Sequence, residues 1–187
     1  MNRPPLAHPP VRTALAPDFD APHFRQALGR FATGVTVITT RVPGTDPART
    51  DSAAFVGITA SSFNTVSLDP PLVLWSLGAK ANSLPLFHAG SHYAIHVLAA
   101  DQLDLCQRFA RGQGDRFEGL SWRLGQAGVP LLDGVLAWFE CHNRSRYEEG
   151  DHVIFVGEVE RCGLAPARAP LLFQGGAFHT TQALGQP

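Results

Sequence analysis

Six hydroxyl or amide side chains fall within nine residues, at Thr59, Ser61, Ser62, Asn64, Thr65 and Ser67. The run then meets Asp69, two prolines and the apolar segment LVLWSL. Turn formation and strand-end capping use such residues, but a turn needs only two or three of them. The excess suits a cradle, in which hydroxyls and backbone N–H groups line a slot for a flat polar ring system and its phosphate. Lys80 and Ser83, in GAKANSL, offer a cation and a hydroxyl to that phosphate, and the turn opened by Asn82 adds backbone N–H donors. Turn chemistry alone accounts for the same residues, so the pattern leaves both readings open.

A second concentration is EGDHVIFVGEV, Glu149 to Val159. Gly150-Asp151 suits a hairpin turn. His152, at the start of the following strand, either serves the fold or points a polar group into a cleft. His88, His92 and His96 are spaced by four, which would align them on a helix. Gly90 interrupts that helix, and HYAIHVL alternates as a strand does. No acidic or cysteine partner completes a ligand set, so the expectation is ordinary, partly buried histidines and no metal. The chain has neither GxGxxG after a strand nor GxxxxGK[ST], and GQGDRF at Gly112 has the wrong spacing. A GxSxG nucleophile elbow is also missing.

These groups need a scaffold. The chain has 187 residues, 44% of them hydrophobic, which supports one domain with a real core. The net charge of -1 is spread along the chain and gives no basic surface for nucleic acid. No apolar run approaches the ~20 residues that span a bilayer. Residues 1–18 hold five of the fifteen prolines and read as a flexible tail without the apolar segment of a secretory signal. Cys106, Cys141 and Cys162 are widely spaced, and the expectation is buried free thiols in a reducing cytoplasm.

Asp20 and Pro22 open a helix whose stripe is Phe24, Leu28 and Phe31, with Gly34 as its stop. VTVITT, AAFVGITASSF, LVLWSL and HYAIHVL read as strands, with Pro70 and Pro71 stiffening the entry to the third. Asn82 caps a short turn, SLPLFHAG. Asp101 and Asp104 resemble a capping box for QLDLCQRFA. Gly112 to Pro130 reads as irregular. GVLAWFECHNRSRYEEG and DHVIFVGEVERCG form two long strands, and PLLFQGGAFHTT adds a final short one. Strands outnumber the peripheral helices, which predicts a mainly antiparallel barrel with added helices.

Taken together, FRQALGRFATGVTVITT, GITASSFNTVSLDPPLVLWSL, FHAGSHYAIHVLAADQLDLCQRFA, VLAWFECHNRSRYEEGDHVIFVGEVE and the PLLFQGGAFH tail resemble the short-chain flavin reductase family. The likeness is collinear from about Phe24 to His179. Its most specific part is TASSF…VSLDPPLV followed by GDH…GEV. The resemblance implies a split β-barrel of Greek-key type with peripheral helices over residues 19–187, forming a homodimer with flavin near the interface. It implies hydride transfer from NADH or NADPH to FMN or FAD, with reduced flavin passed to a flavin-dependent monooxygenase. It implies flavin contacts from Thr59, Ala60, Ser61, Ser62, Phe63, Asn64, Thr65 and Val66, and from Gly34, Val35 and Thr36. Lys80 and Ser83 would lie near the flavin phosphate, and His152 by the nicotinamide. Phe178 stands where such reductases often carry an aromatic such as tyrosine, which keeps stacking and removes a hydrogen bond. The loop from Arg41 to Ser52 is longer than the family's usual hairpin. A flavin-binding carrier without turnover, or an oxidase of a phosphorylated vitamin, are the rival readings on the same barrel.

Overall fold

A computed structural model describes residues 16–111 and 113–184. The proline-rich start therefore lies outside the described residues, apart from residues 16–18, which are exposed. Helix α1 covers Ala21–Leu28. Asp20 caps it by accepting the His23 N–H at 2.8 Å, and proline sits in the first turn. The helix stops at Gly29, not at Gly34. Gly29 accepts the Gly175 N–H at 2.9 Å, and Gly34 is drawn into strand β1, Thr33–Gly34. The expected stripe forms but faces outward: Phe24, Leu28 and Phe31 are 47%, 57% and 71% exposed.

Strands β2 (Thr36–Arg41) and β3 (Phe55–Ala60) follow, and then β4 (Asn64–Leu68) and β5 (Pro71–Gly78). The polar run thus contains a strand of its own, β4, which its composition concealed. Helix α2 is Leu84–Ala89; its N-cap is Ser83 rather than Asn82, and no side chain caps it. Strand β6 is His92–Val97 and helix α3 is Leu103–Arg111. The expected Asp101–Asp104 box does not form. Gln102 Oε1 accepts the Ala99 N–H at 2.9 Å, while Asp101 accepts from Arg168 at 2.8 Å. The region expected to be irregular holds a hairpin, β7 (Trp122–Leu124) and β8 (Pro130–Leu132). Long strands β9 (Ala137–Glu149) and β10 (His152–Leu164) turn at Gly150, whose φ of +60° suits glycine. The tail forms two strands rather than one, β11 (Leu172–Gln174) and β12 (Ala177–His179).

The chain is mainly β and antiparallel. Seven strands pair in the order β3-β2-β6-β9-β10-β5-β4, and β1-β11-β12 and β7-β8 form small separate sheets. One core cluster joins Ile38, Trp75, Phe87, Tyr93, Ile95 and Phe155. Trp75 and Phe155 face each other across the β5–β10 ladder and stack at 4.4 Å. Val56, Ile58 and Ala60 of β3 pack on this cluster, as do Val73 and Leu77 of β5, from near the other edge of the sheet. A second cluster sets α3, through Cys106 and Phe109, against Val35, Val37, Phe55 and Leu98. Gly57 permits this docking: a Cβ there would lie 2.4 Å from the Phe109 ring. Cys106 and Cys141 are free and buried, as expected, but Cys162 is exposed. It stands on β10 opposite Phe139, where the strand's outer positions meet solvent.

His92 and His96 share a face of β6, as strand geometry requires, and His88 sits on α2. His96 is fully buried; its Nδ1–H donates to Val37 O at 2.9 Å and its Nε2 accepts the Leu132 N–H at 3.1 Å. Both ring nitrogens are spent on tying β8 to β2. Burial pushes its pKa down to about 4, so the ring is neutral. Among the described residues, no helix is long and apolar enough to cross a membrane. Also among them, no group of three or more His, Cys, Asp or Glu is placed to hold a metal.

Candidate active site

The ladder β2–β3 ends with Thr36 opposite Ala60, and the Thr36 hydroxyl donates to Ala60 O at 2.8 Å. Val35 is buried beside this point, with its N–H on Leu171 O and its carbonyl accepting from Leu98. Gly34 pairs with Leu172. These three residues therefore border the polar run by fixing where it begins.

The hydroxyls of the run are divided in their use. Thr59 Oγ1 donates to Cys106 O at 2.6 Å, which ties β3 to α3. Ser62 Oγ donates to Ser76 O at 3.1 Å and accepts the Ser76 N–H at 2.9 Å. Asn64 Oδ1 accepts the Thr65 N–H at 2.8 Å, and Ser67 Oγ accepts the Asp69 N–H at 3.2 Å. Ser61 and Thr65 are exposed. Ala60 and Phe63 pack on the core, the latter 5.6 Å from Phe139. Val66 is exposed where the β4–β5 register shifts.

A first cavity of about 790 Å³ lies between β3, the start of α2 and the end of α3. Its volume falls within the ~300–1,000 Å³ of small-molecule sites. Val56, Ile58, Leu77 and Phe109 give it apolar walls, and Thr59, Asn82, Ser83 and Arg116 give it polar ones. The structure thus brings Thr59 and Ser83 together from distant parts of the chain. Arg116 and Asp115 enter from the loop after α3, a contribution the sequence reading missed. Arg116 donates to Gly57 O and Phe109 O, each at 3.1 Å. A hydrogen bond from Ser52, with the Phe117 N–H, holds the Asp115 carboxyl below its ordinary pKa. The only sequence signal was GQGDRF, dismissed as a phosphate loop, although Gly114, Asp115 and Arg116 of that run line the cavity.

His152 starts β10 opposite the end of β5, and Lys80 follows that end two residues on. His152 pairs with Gly78, and the Ala79 N–H donates to Asp151 O at 2.8 Å. His152 Nδ1–H donates to Asp151 Oδ1 at 2.7 Å, and the side chain is half exposed. That hydrogen bond first, then the charges of His152 and Lys80, lowers the Asp151 pKa.

A second cleft of about 930 Å³ lies between α1 and the β11–β12 hairpin. Ser61 lines it, with Arg25, Arg30, Phe31, Phe173 and His179 among its other walls. Phe178 packs on Phe173 at 5.3 Å but does not line either cavity.

Residues 28–182 match the model of the flavin reductase like domain. The FMN reductase (NADH) SmoA of Agrobacterium fabrum is 46% identical over 155 residues, covering 83% of each chain. The reductase component of the flavin-dependent trigonelline monooxygenase of Acinetobacter baylyi is 41% identical over 83% of this chain, which spans 47% of that longer protein. The structure of the Streptomyces globisporus NADH:FAD oxidoreductase SgcE6, in complex with NAD and FAD fragments, superposes with a TM-score of 0.78 at 38% identity, covering 91% of this chain and 98% of that one. An antiparallel fold, a polar-walled cavity beside β3 and a match over most of the chain agree: this protein is a member of the flavin reductase family.

Proposed function

We propose that the chain is an NAD(P)H-dependent flavin reductase that supplies reduced FMN or FAD to a monooxygenase. The carrying observation is the first cavity, which sets apolar walls for a planar ring beside Ser83 and Arg116. The names of SmoA and of the trigonelline monooxygenase component support the activity and the kind of partner. The bound flavin supplies the acceptor for a hydride from the nicotinamide, and the chain supplies position and electrostatics. Thr59 to Val66, with Gly34, Val35 and Thr36 at its origin, holds the ring system. The hydroxyls of Thr59 and Ser62 act through the backbone they pin; backbone N–H groups and exposed Ser61 and Thr65 remain to meet the ligand. Ser83 and Lys80 hold the phosphate. His152, fixed through Nδ1 by Asp151, presents Nε2 to the nicotinamide. Phe178 stiffens the hairpin through Phe173.

The sheet is read as a split barrel over residues 19–187, because residues from β3 and β5 share one core. A homodimer is supported by Phe19, Phe24 and Leu28, which are about half exposed on and just before α1. The free, buried thiols of Cys106 and Cys141 suit the cytoplasm.

Oxidation of NADH and NADPH in the presence of excess FMN, FAD or riboflavin tests the reading. Catalytic consumption is expected, whereas consumption that ends after one equivalent of protein identifies a carrier. His152→Ala is expected to lower the rate of flavin reduction in stopped flow by about tenfold or more while leaving flavin affinity near that of the parent. Equal losses in both would remove His152 from the nicotinamide site.

A further inference from the structure

Two histidines that flavin reduction leaves unused, His92 and His142, meet on one face of the sheet. They stand directly opposite each other in the β6–β9 ladder, and their ring centroids lie 5.4 Å apart. Further along the same face of β6, Ala94 and His96 are covered by the β7–β8 region. His142 is exposed and His92 partly so, and neither lines either of the two larger cavities. A carboxylate joins them from a third strand. Val159 pairs with Cys141 and Arg161 with Glu140, so Glu160 is the extra residue of a bulge in β10. A bulge re-aims a side chain. Here it carries Glu160 Oε2 across β9 to within 3.4 Å of His92 Nε2. The neighbouring Glu158 is taken by Arg144 at 2.8 Å, whereas no lysine or arginine pairs with Glu160 among the described residues. The other ring nitrogen of His92, Nδ1, lies 3.0 Å from Ser91 Oγ. A carboxylate at Nε2 favours the proton there and leaves the lone pair on Nδ1. That is the tautomer in which an imidazole ligates a metal, and a carboxylate behind the ring is the common support of such a ligand.

We propose that the cross-strand pair His92–His142 binds a transition-metal cation of the Zn²⁺, Ni²⁺ or Cu²⁺ class, with Glu160 as the positioning residue of His92. Directly opposed strand residues have Cβ atoms ~4.5–5.5 Å apart, which lets two imidazoles reach one ion at the ~2.0–2.1 Å of Zn–N bonds. Imidazole selects these ions over Mg²⁺ and Ca²⁺, which take oxygen ligands. Among the described residues no third His, Cys, Asp or Glu completes a ligand set, so water fills the remaining positions. The ion clips β6 to β9 at a distance in sequence that the spacing of His88, His92 and His96 does not show. Because it binds the folded sheet and bridges two strands, it adds to stability.

Isothermal titration of the full, untagged chain with zinc chloride decides the matter. Wild-type protein is expected to bind Zn²⁺, and His142→Gln and Glu160→Gln each to weaken it by about tenfold or more. Both residues are exposed, so the variants keep the fold. His88→Gln, at an exposed histidine of α2, is expected to bind as the parent does. Equal affinity in His142→Gln or in Glu160→Gln, an equal loss in His88→Gln, or no binding to the wild type overturns the proposal. Electron paramagnetic resonance with one equivalent of Cu²⁺ separates ligand from positioning residue. Two imidazole nitrogens are expected in wild type and in Glu160→Gln, and one in His142→Gln. Loss of an imidazole in Glu160→Gln, or an unaltered spectrum in His142→Gln, overturns the assignment. Zinc is also expected to raise the melting temperature of the wild type and not that of His142→Gln, and an equal rise in both overturns the clip.

Discussion

The two cavities lie on either side of one polar run, yet they are built in opposite ways. The walls of the first are knitted together. Thr59 holds α3, Arg116 holds the β3 backbone and Phe109, and Asp115 is bonded by Ser52 and the Phe117 N–H. The second is joined by a few bonds along its edge, among them Gly175 N–H to Gly29 O and Gln174 to Arg30 O at 3.0 Å. Its cationic side chains have no partner among the described residues. A polar residue near a cavity is therefore of two kinds, one that shapes the wall and one that waits for a ligand. Mutation separates them, because the first costs stability and the second costs affinity.

The largest effect is expected where a polar group is most completely engaged. His96→Gln removes a ring whose two nitrogens both bond backbone, and should cost about 3 kcal/mol at pH 7. The same ring gives a pH test. The His96 pKa is near 4 in the fold and near 6.5 in the unfolded chain, so the unfolded state binds the extra proton. Its contribution is complete above about pH 6.5 and is lost as pH falls toward 4, amounting to roughly 3 kcal/mol. Urea midpoints at both ends of that window should show wild type and His96→Gln converging in acid. A constant gap would mean that the ring is not held neutral.

Thr59→Val comes next. Loss of the bond to Cys106 O should lower stability by about 1–2 kcal/mol in denaturant titration, with FMN affinity changed less than threefold. A fall in affinity without loss of stability would move Thr59 from wall to ligand contact and break the comparison. Lys80→Ala sharpens it from the other side. The residue is exposed, so stability should stay within about 0.5 kcal/mol. FMN should weaken by about tenfold relative to riboflavin, measured by fluorescence quenching. An unchanged ratio removes Lys80 from the phosphate.

The strands of the core were legible because β-branched and apolar alternation reports a buried face, as in β2, β5, β6 and β10. Strand β4 was not, because its exposed side chains carry no such alternation and its pairing comes from β5. The β7–β8 hairpin was hidden for a related reason. Its anchors, His96 and Glu140, lie on other strands, with Glu140 accepting the Ala127 N–H at 2.8 Å. The stripe of α1 was read correctly as amphipathic, but periodicity does not say what covers it. Of the first cavity's lining, Thr59 and Ser83 could be picked from clustered polar residues. Arg25, Arg30 and Arg116 could not be picked, since a lone arginine in a helix or loop looks the same whether it faces solvent or a cavity.

The Ser62 hydroxyl has one more consequence. It answers both the N–H and the carbonyl of Ser76, at the place where continued β4 pairing would have put backbone. The chain can thus leave the sheet there without exposing a raw strand edge. An unpaired edge beside an open ligand site invites another polypeptide to add itself as a strand. A single serine therefore closes the end of that edge where the chain turns out of the sheet.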